Sequence, residues 1–329
     1  MRARGDGNYL LDLSHPGKSG EKAMEQQREK GIGSKRRQRR ITPYLMLAPL
    51  LIGLFILVYY PLFTTVRLSF FRYAWNKPQA GMKFVGFTNY KRIFTDEKEF
   101  WPSMENTGKF TAISTSLCIL IGLGLALFVD REFRGKTVYV SLLLLPTMIA
   151  PVVSGLTWKF MFDGLFGAVN YFIGLLGIEP VAWLSSTKTA LGCVLVADIW
   201  QYSPFVFLVM LASLQAIPID LFEAAKMDGA SGWKLFFRLK LPLILPQLLL
   251  VGVIRLMDTF RIFDLIYLMT NGGPAGSTQT IGFLTYQRTF RHFKMGEGAV
   301  IALFTLVAVL VMSWYFIKSL LENAKGLAR

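Results

Sequence analysis

Long apolar blocks alternate with short polar ones along this chain. Six of them, at about 41–63, 109–129, 138–162, 187–215, 243–269 and 298–320, reach the roughly 20 residues an α-helix needs to cross a hydrocarbon core of ~30 Å. Inside a bilayer every backbone N–H and C=O must be paired within the segment itself, so blocks of this length predict helices, not open strands. The expectation is an all-α integral membrane protein with six transmembrane helices and both termini on the same side.

The polar segments set the orientation. Residues 1–40 form a basic tail ending in "SKRRQRR", too polar to fold alone, and its cations abut the first apolar block. That block starts too late and lacks the small-residue site of a cleaved signal, so it reads as a retained first span with a cytoplasmic N-terminus. "DREFRGK" (130–136) is net positive on the same side, whereas residues 163–186 carry only Asp163 and Glu179. Arg288, Arg291 and Lys294 against Glu297 make one basic loop on the outside, outweighed by the anchor beside span one. Residues 70–108 form the longest outside segment, with "FVGFTNYKRIF" (84–94) predicted as an ordered surface element.

Composition narrows the picture further. Of 329 residues 53% are hydrophobic and 17% charged, an apolar excess over soluble domains. The net charge is +15, but the basic residues sit mainly in the first 40 residues and in short loops between apolar blocks, which fits membrane orientation better than a nucleic-acid face. Cys118 and Cys193 lie inside apolar blocks and the imidazoles are His15 and His292, so the pattern supports neither a disulfide framework nor a metal site. "PGKSG" (16–20) lacks the first glycine of a phosphate loop, since Asp12 stands there.

Between the fourth and fifth blocks lies a charged interruption with its own helix punctuation, within the loop 216–242. In "PIDLFEAAKMDGASGW" Asp220 and Glu223 have capping-box spacing, which predicts a helix starting near Leu221. Gly229 is placed to close it, Ser231 to cap the next helix and Pro242 to mark entry into the fifth span. Ala224 and Ala225 leave one face nearly bare beside Glu223, suited to a partner's groove. An amphipathic hairpin lying on the membrane through Phe222, Trp233, Phe236 and Phe237 is an equal reading of the same residues.

The stretch "EAAKMDGASGWKLFFRLKLP" resembles the EAA loop of permease subunits in binding-protein-dependent ABC importers. Glu223-Ala224-Ala225 is followed after three residues by Gly229 and after nine more by Leu239, Leu241 and Pro242. "SLQAIPIDLFEAA" before it, "FRIFDLIYLMTNGGP" (260–274) after it and "FVGFTNY" resemble carbohydrate importers in particular, and the likeness runs over about 43–325. The resemblance implies a type I ABC importer permease fold, with a cytoplasmic coupling helix between spans four and five. It implies a heterodimer with a second permease, two cytoplasmic ATPase subunits carrying ATP and Mg, an external sugar-binding protein, a carbohydrate substrate and a bacterial inner-membrane location. The coupling residues it implies are Glu223, Ala224, Ala225, Asp228, Gly229, Leu241 and Pro242.

The fifth block places Arg255, Asp258, Arg261 and Asp264 at membrane depth, where ionisable groups face a bundle interior or an aqueous cavity. Spaced three apart on one helix they would drift over about half its circumference, so they cannot share one narrow path. Asp258 and Arg261 are expected to face a cavity. Arg255 and Asp264 are open between a path role and an i,i+3 charge ladder. Asp198, beside Trp200 and Tyr202, and Trp158 are further path candidates; aromatics at span ends also serve as interfacial anchors. "TNGGPAGST" (270–278) is turn-rich, and the resemblance puts Asn271, Gly272, Gly273 and Pro274 where the external binding protein docks. Arg261, Arg288, Arg291 and Lys294 give the outer half a cationic bias that suits an acidic oligosaccharide of uronate type or a phosphorylated substrate, or equally an acidic docking partner. A membrane enzyme acting on lipid-linked or headgroup substrates is the competing class. It lacks clustered catalytic groups and leaves the loop spacing unexplained; a scaffold leaves the intramembrane charges unused.

Overall fold

The computed structural model describes residues 44, 46–77, 79 and 81–327, with side chains as far as 318. The basic tail, "PGKSG" and His15 lie outside the described residues. The chain divides into two units, 1–64 and 65–329. The described part of the first is the leading stretch of helix α1 (Met46–Ser69), which runs on into the second unit.

In the second unit a two-residue hairpin pairs β1 (Phe71–Arg72) with β2 (Lys83–Phe84), antiparallel, with Phe71 opposite Phe84. Helix α2 (Thr88–Lys91) follows, extended by a wider turn to Asp96, so "FVGFTNYKRIF" is ordered. The buried Asn89 side chain donates to Ser69 O at 2.8 Å and Phe71 O at 3.0 Å, tying α2 to the hairpin. Helices α3 (Phe100–Val129), α4 (Lys136–Met148), α5 (Pro151–Met161), α6 (Ala168–Gly174) and α7 (Ala190–Gln215) come next. They are followed by α8 (Ile219–Met227), α9 (Gly232–Phe260), α10 (Ile281–Tyr286) and α11 (Met295–Leu327).

Five of these helices among the described residues are long and apolar enough to cross a bilayer, and the count is six when the bent pair α4–α5 is taken as one broken span. The structure departs from the sequence expectation at three places. The block at 138–162 is not one straight span: α4 and α5 meet at 94°. Pro151 opens α5 and its ring disfavours helical backbone at Ala150, which is extended (φ −60°, ψ 138°) like Ile149 before it. The freed carbonyl of Ile149 is taken by the Gln201 side-chain amide at 2.9 Å, as membrane depth requires. The fifth span is the second correction. Its helix begins at Gly232 and ends at Phe260, so the second short helix expected in the loop is its first turns, and Pro242 lies within it. The chain then breaks over Arg261–Phe263 before another turn at Ile266–Thr270. Third, α8 begins at Ile219 with Pro218 at the N-cap and no side-chain cap bond. Asp220 is therefore already inside the helix and forms no capping box with Glu223, because proline's fixed φ starts the helix two residues early.

Packing rests on close helix approach. Cys118, Ala126 and Val129 of α3 interdigitate with Val206, Phe207, Met210 and Leu214 of α7 and Ile244 and Val251 of α9; Cys193 is buried in a second cluster with Phe110 and Phe283. A Cβ on Gly122 would stand 2.6 Å from Val206 Cβ and 2.8 Å from the Phe207 backbone nitrogen. Small residues let membrane helices approach this closely. Gly122→Leu is therefore expected to cost about 1–3 kcal/mol by overpacking. Thermal unfolding of the purified protein in detergent would read this as a lowered midpoint; an unchanged midpoint would contradict the α3–α7 contact.

On the far side of the bundle, Arg288 bridges Glu97 at 2.6 Å and Glu99 at 3.0 Å, and Arg92 reaches Glu297 at 2.9 Å. The loop after α5 is closed by Asp163, whose carboxylate accepts from the Leu165 and Phe166 N–H groups; these bonds hold it below the usual carboxylate range. Asn170 fastens the loop's other limb, bonding Gly164 O, Val181 O and the Trp183 indole N–H.

Candidate functional site

The two span breaks open on the same cavity, of about 330 Å³. Pro151 of the first break and Arg261, Ile262 and Phe263 of the second line it, together with Asp198, Tyr202, Arg255, Asp258 and Asp264. Irregular backbone is tolerated at membrane depth where it lines a cavity or is buried in protein, and both conditions hold here. The carbonyl freed at the second break, Ile262 O, accepts from Thr280 Oγ1 at 3.0 Å, just as Gln201 serves Ile149 at the first.

One wall is a buried ionic cluster across three helices. Arg255 of α9 is 1% exposed and Asp198 of α7 2%, and Arg255 Nη2 approaches Asp198 Oδ2 at 2.5 Å. Ser114 of α3 donates to the same carboxylate oxygen and receives an N–H from Arg255 at 3.0 Å. The guanidinium carbon lies 4.5 Å from the centre of the Tyr202 ring, a cation–π contact one helical turn beyond Asp198. Arg255 Nε and Nη1 have no hydrogen-bond partner among the described residues. Nearer the cavity mouth, Arg261 and Asp258 pair at 2.7 Å, the guanidinium exposed and Asp258 half-buried.

A second cavity, of about 390 Å³, lies at the end of the bundle where α8 sits. Leu214, Ile217, Phe222 and Leu235 give it an apolar floor, and Asp130, Glu223, Lys226 and Lys240 are polar groups on its wall. Lys240 Nζ is 2.7 Å from Asp130 Oδ2 and 5.3 Å from the centre of the Phe222 ring. Glu223 and Ala224 are exposed on α8 and Asp228 just after it, Ala225 is half-buried, and Gly229 closes the helix at φ +77°. Trp233 and Phe237 stack on each other at 5.7 Å and are exposed on the first turns of α9.

Residues 118–325 match the family described as the inner membrane component of binding-protein-dependent transport systems. The chain belongs to this family. Among its relatives, the trehalose/maltose transport system permease MalF of Thermococcus litoralis is 36% identical over 278 residues, covering 84% of this chain and 92% of that one. The sulfoquinovosyl glycerol transport system permease SmoG of Agrobacterium fabrum is 34% identical over 263 residues, covering 80% and 85%. A chain of a bacterial alginate ABC transporter, solved in complex with an alginate pentasaccharide-bound periplasmic protein, superposes with TM-score 0.74 at 22% identity, covering 85% of this chain and 94% of that one. The fold is thus the type I ABC importer permease fold, and the protein is a transport subunit, not an enzyme.

In this permease the path candidates are gathered differently from the sequence expectation. Arg255, Asp258, Arg261 and Asp264 do not ride one helix, because α9 ends at Phe260; the break lets all four reach one cavity. Arg255 is not held by an i,i+3 neighbour but by Asp198, 57 positions away in sequence. The charge ladder exists instead at Asp258–Arg261. Trp158 is not brought to the cavity: it stacks on Phe162 at 5.4 Å and meets Trp200 edge-on at 5.6 Å in an apolar cluster.

The expected cationic bias is also largely cancelled. Arg261 is paired with Asp258, Arg288 with Glu97 and Glu99, and Lys294 with Glu297 at 3.5 Å. Arg291 instead donates to Asn271 Oδ1 at 2.6 Å and lies over Tyr267, Phe283 and Tyr286. That bond helps fix the segment Asn271–Pro274, where Asn271 and Gly272 take left-handed backbone (φ 55° and 82°). A Cβ on Gly272 would meet the Phe283 ring at 2.5 Å, so only glycine fits, and Thr278 Oγ1 bonds Gly273 O at 2.8 Å.

Sequence reasoning missed Ser114, Gln201, Asp130 and Lys240. Serine and glutamine in apolar blocks carry no periodic signal. Asp130 and Lys240 read as ordinary loop charges until folding brings them together. The spacing of Pro146 and Pro151 in "LLPTMIAPVV" was the available sign of the first break.

Proposed function

We propose that the permease forms half of the translocation path for an oligosaccharide and couples ATPase closure to alternating access. The observation that carries this reading is the cavity between two broken spans, walled by carboxylates, guanidinium groups and the Tyr202 and Phe263 rings. Discontinuous membrane helices meeting at mid-depth are a recurrent way to build a transporter site. Carboxylates beside aromatic rings suit a sugar, whose hydroxyls bond while its apolar face stacks. The relatives named for trehalose/maltose and for sulfoquinovosyl glycerol, and the alginate transporter, support a saccharide cargo. Of the charged side chains lining the cavity three are carboxylates and two guanidinium groups, which favours an uncharged saccharide over a uronate.

The partners follow from the same reading: a second homologous permease completing the path, an external binding protein at Asn271–Pro274, and two cytoplasmic ATPase subunits holding ATP and Mg. The exposed Glu223 and Ala224 of α8, with the half-buried Ala225 and the exposed Asp228 at its end, are their dock; Gly229 sets its angle, while Leu241 and Pro242 lie where α9 carries the motion upward. Both termini then lie in the cytoplasm. The assembled complex in proteoliposomes with its binding protein would decide: ATP-driven uptake of a neutral di- or trisaccharide is expected. Uptake restricted to uronate oligosaccharides would reverse the charge assignment, and no uptake of any saccharide would sink the reading.

A further inference from the structure

We infer that Asp130 and Lys240 clamp α3 and α9 into one rigid lever, with Lys240 the residue through which α8 positions both helices; this rests on reading α8 as the ATPase dock. Asp130 caps the end of α3 and Lys240 lies in the wider turn of α9 just before Leu241. Their charged atoms are 2.7 Å apart, and each side chain is 19% exposed, too sheltered for a solvated surface pair. The ammonium also sits over Phe222 of α8, immediately before Glu223. One cation thus touches the dock and the bases of two spans.

The same two helices are tied again at depth, where Arg255 of α9 donates to Ser114 of α3. At ~1.5 Å per residue Ser114 is roughly 24 Å along α3 from Asp130, and Arg255 roughly 22 Å along α9 from Lys240. The spacing between the two ties is therefore nearly the same along both antiparallel helices. Two polar ties at separated heights prevent the helices from sliding or splaying independently. A displacement of α8 then reaches the Ser114–Asp198–Arg255 wall as a rigid-body movement instead of being lost in one helix.

Lys240→Met and Asp130→Asn in the assembled complex are expected to lower sugar moved per ATP hydrolysed by at least about five-fold, the low end of ordinary coupling between sites. The exchange Asp130→Lys with Lys240→Asp should recover most of that loss. The decisive variant carries Asp130→Cys and Lys240→Cys, joined by a short bifunctional thiol reagent; Cys118 and Cys193 are buried. If the helices travel as one body, cross-linking restores the transport that the double-cysteine variant has lost. If they separate during the cycle, cross-linking arrests transport and the clamp is overturned. A wild-type complex that moves no saccharide would instead overturn the underlying reading, so the two failures are told apart.

Discussion

Arg255→Leu is expected to destabilise the permease by about 3–5 kcal/mol, because it strands the Asp198 carboxylate in a site 2% exposed with only Ser114 to bond it. Asp198→Leu should do comparable damage by stranding Arg255, two of whose nitrogens already have no hydrogen-bond partner among the described residues. The double variant Asp198→Leu with Arg255→Leu is expected to regain most of the lost stability, since apolar side chains can replace a buried ion pair at little cost. Thermal unfolding of the detergent-purified complex measures all three, and singles that melt like wild type would show that the cluster does not lock α3, α7 and α9. Uptake separates packing from path. A double variant that folds but fails to transport assigns the pair to the cavity wall, and one that folds and transports normally assigns it to packing alone.

The second large effect is at Gly229. Its φ of +77° is left-handed, and an added Cβ would meet nothing within 4 Å, so a substitution there is opposed by backbone strain and not by crowding. That strain is roughly 1–2 kcal/mol for an ordinary L-residue. Gly229→Val should relieve it by re-angling α8 against α9, leaving membrane insertion intact while uptake falls by at least about ten-fold, a loss equivalent to ~1.4 kcal/mol of coupling. Gly229→Asn, which tolerates this backbone, should retain most activity. Equal loss in both variants would mean the position matters for its missing side chain, not for its conformation. Normal ATP-driven uptake by Gly229→Val would remove α8 from the coupling route.

Much of this protein is legible in one dimension for a simple reason: the bilayer imposes a length and an apolarity on each span that residues must satisfy locally. The end of α7 at Gln215 and the left-handed turn at Gly229 follow from local composition or single-residue conformational rules. Local rules failed where two of them competed. Asp220 has the spacing of a helix cap, yet Pro218 starts α8 first. Residues 138–162 have the length of one span, yet Pro151 bends it through 94°.

Six apolar blocks, a polar interruption after the fourth and ionisable residues within the fifth can all be read along the chain. Which of those charges meet depends on how the helices pack. Arg255 finds Asp198 and Ser114, Lys240 finds Asp130, and two broken spans share one cavity. The physical reason is that helix formation in a membrane is set by each segment's own backbone and surroundings, whereas a buried charge must find its counter-charge across helices far apart in the chain.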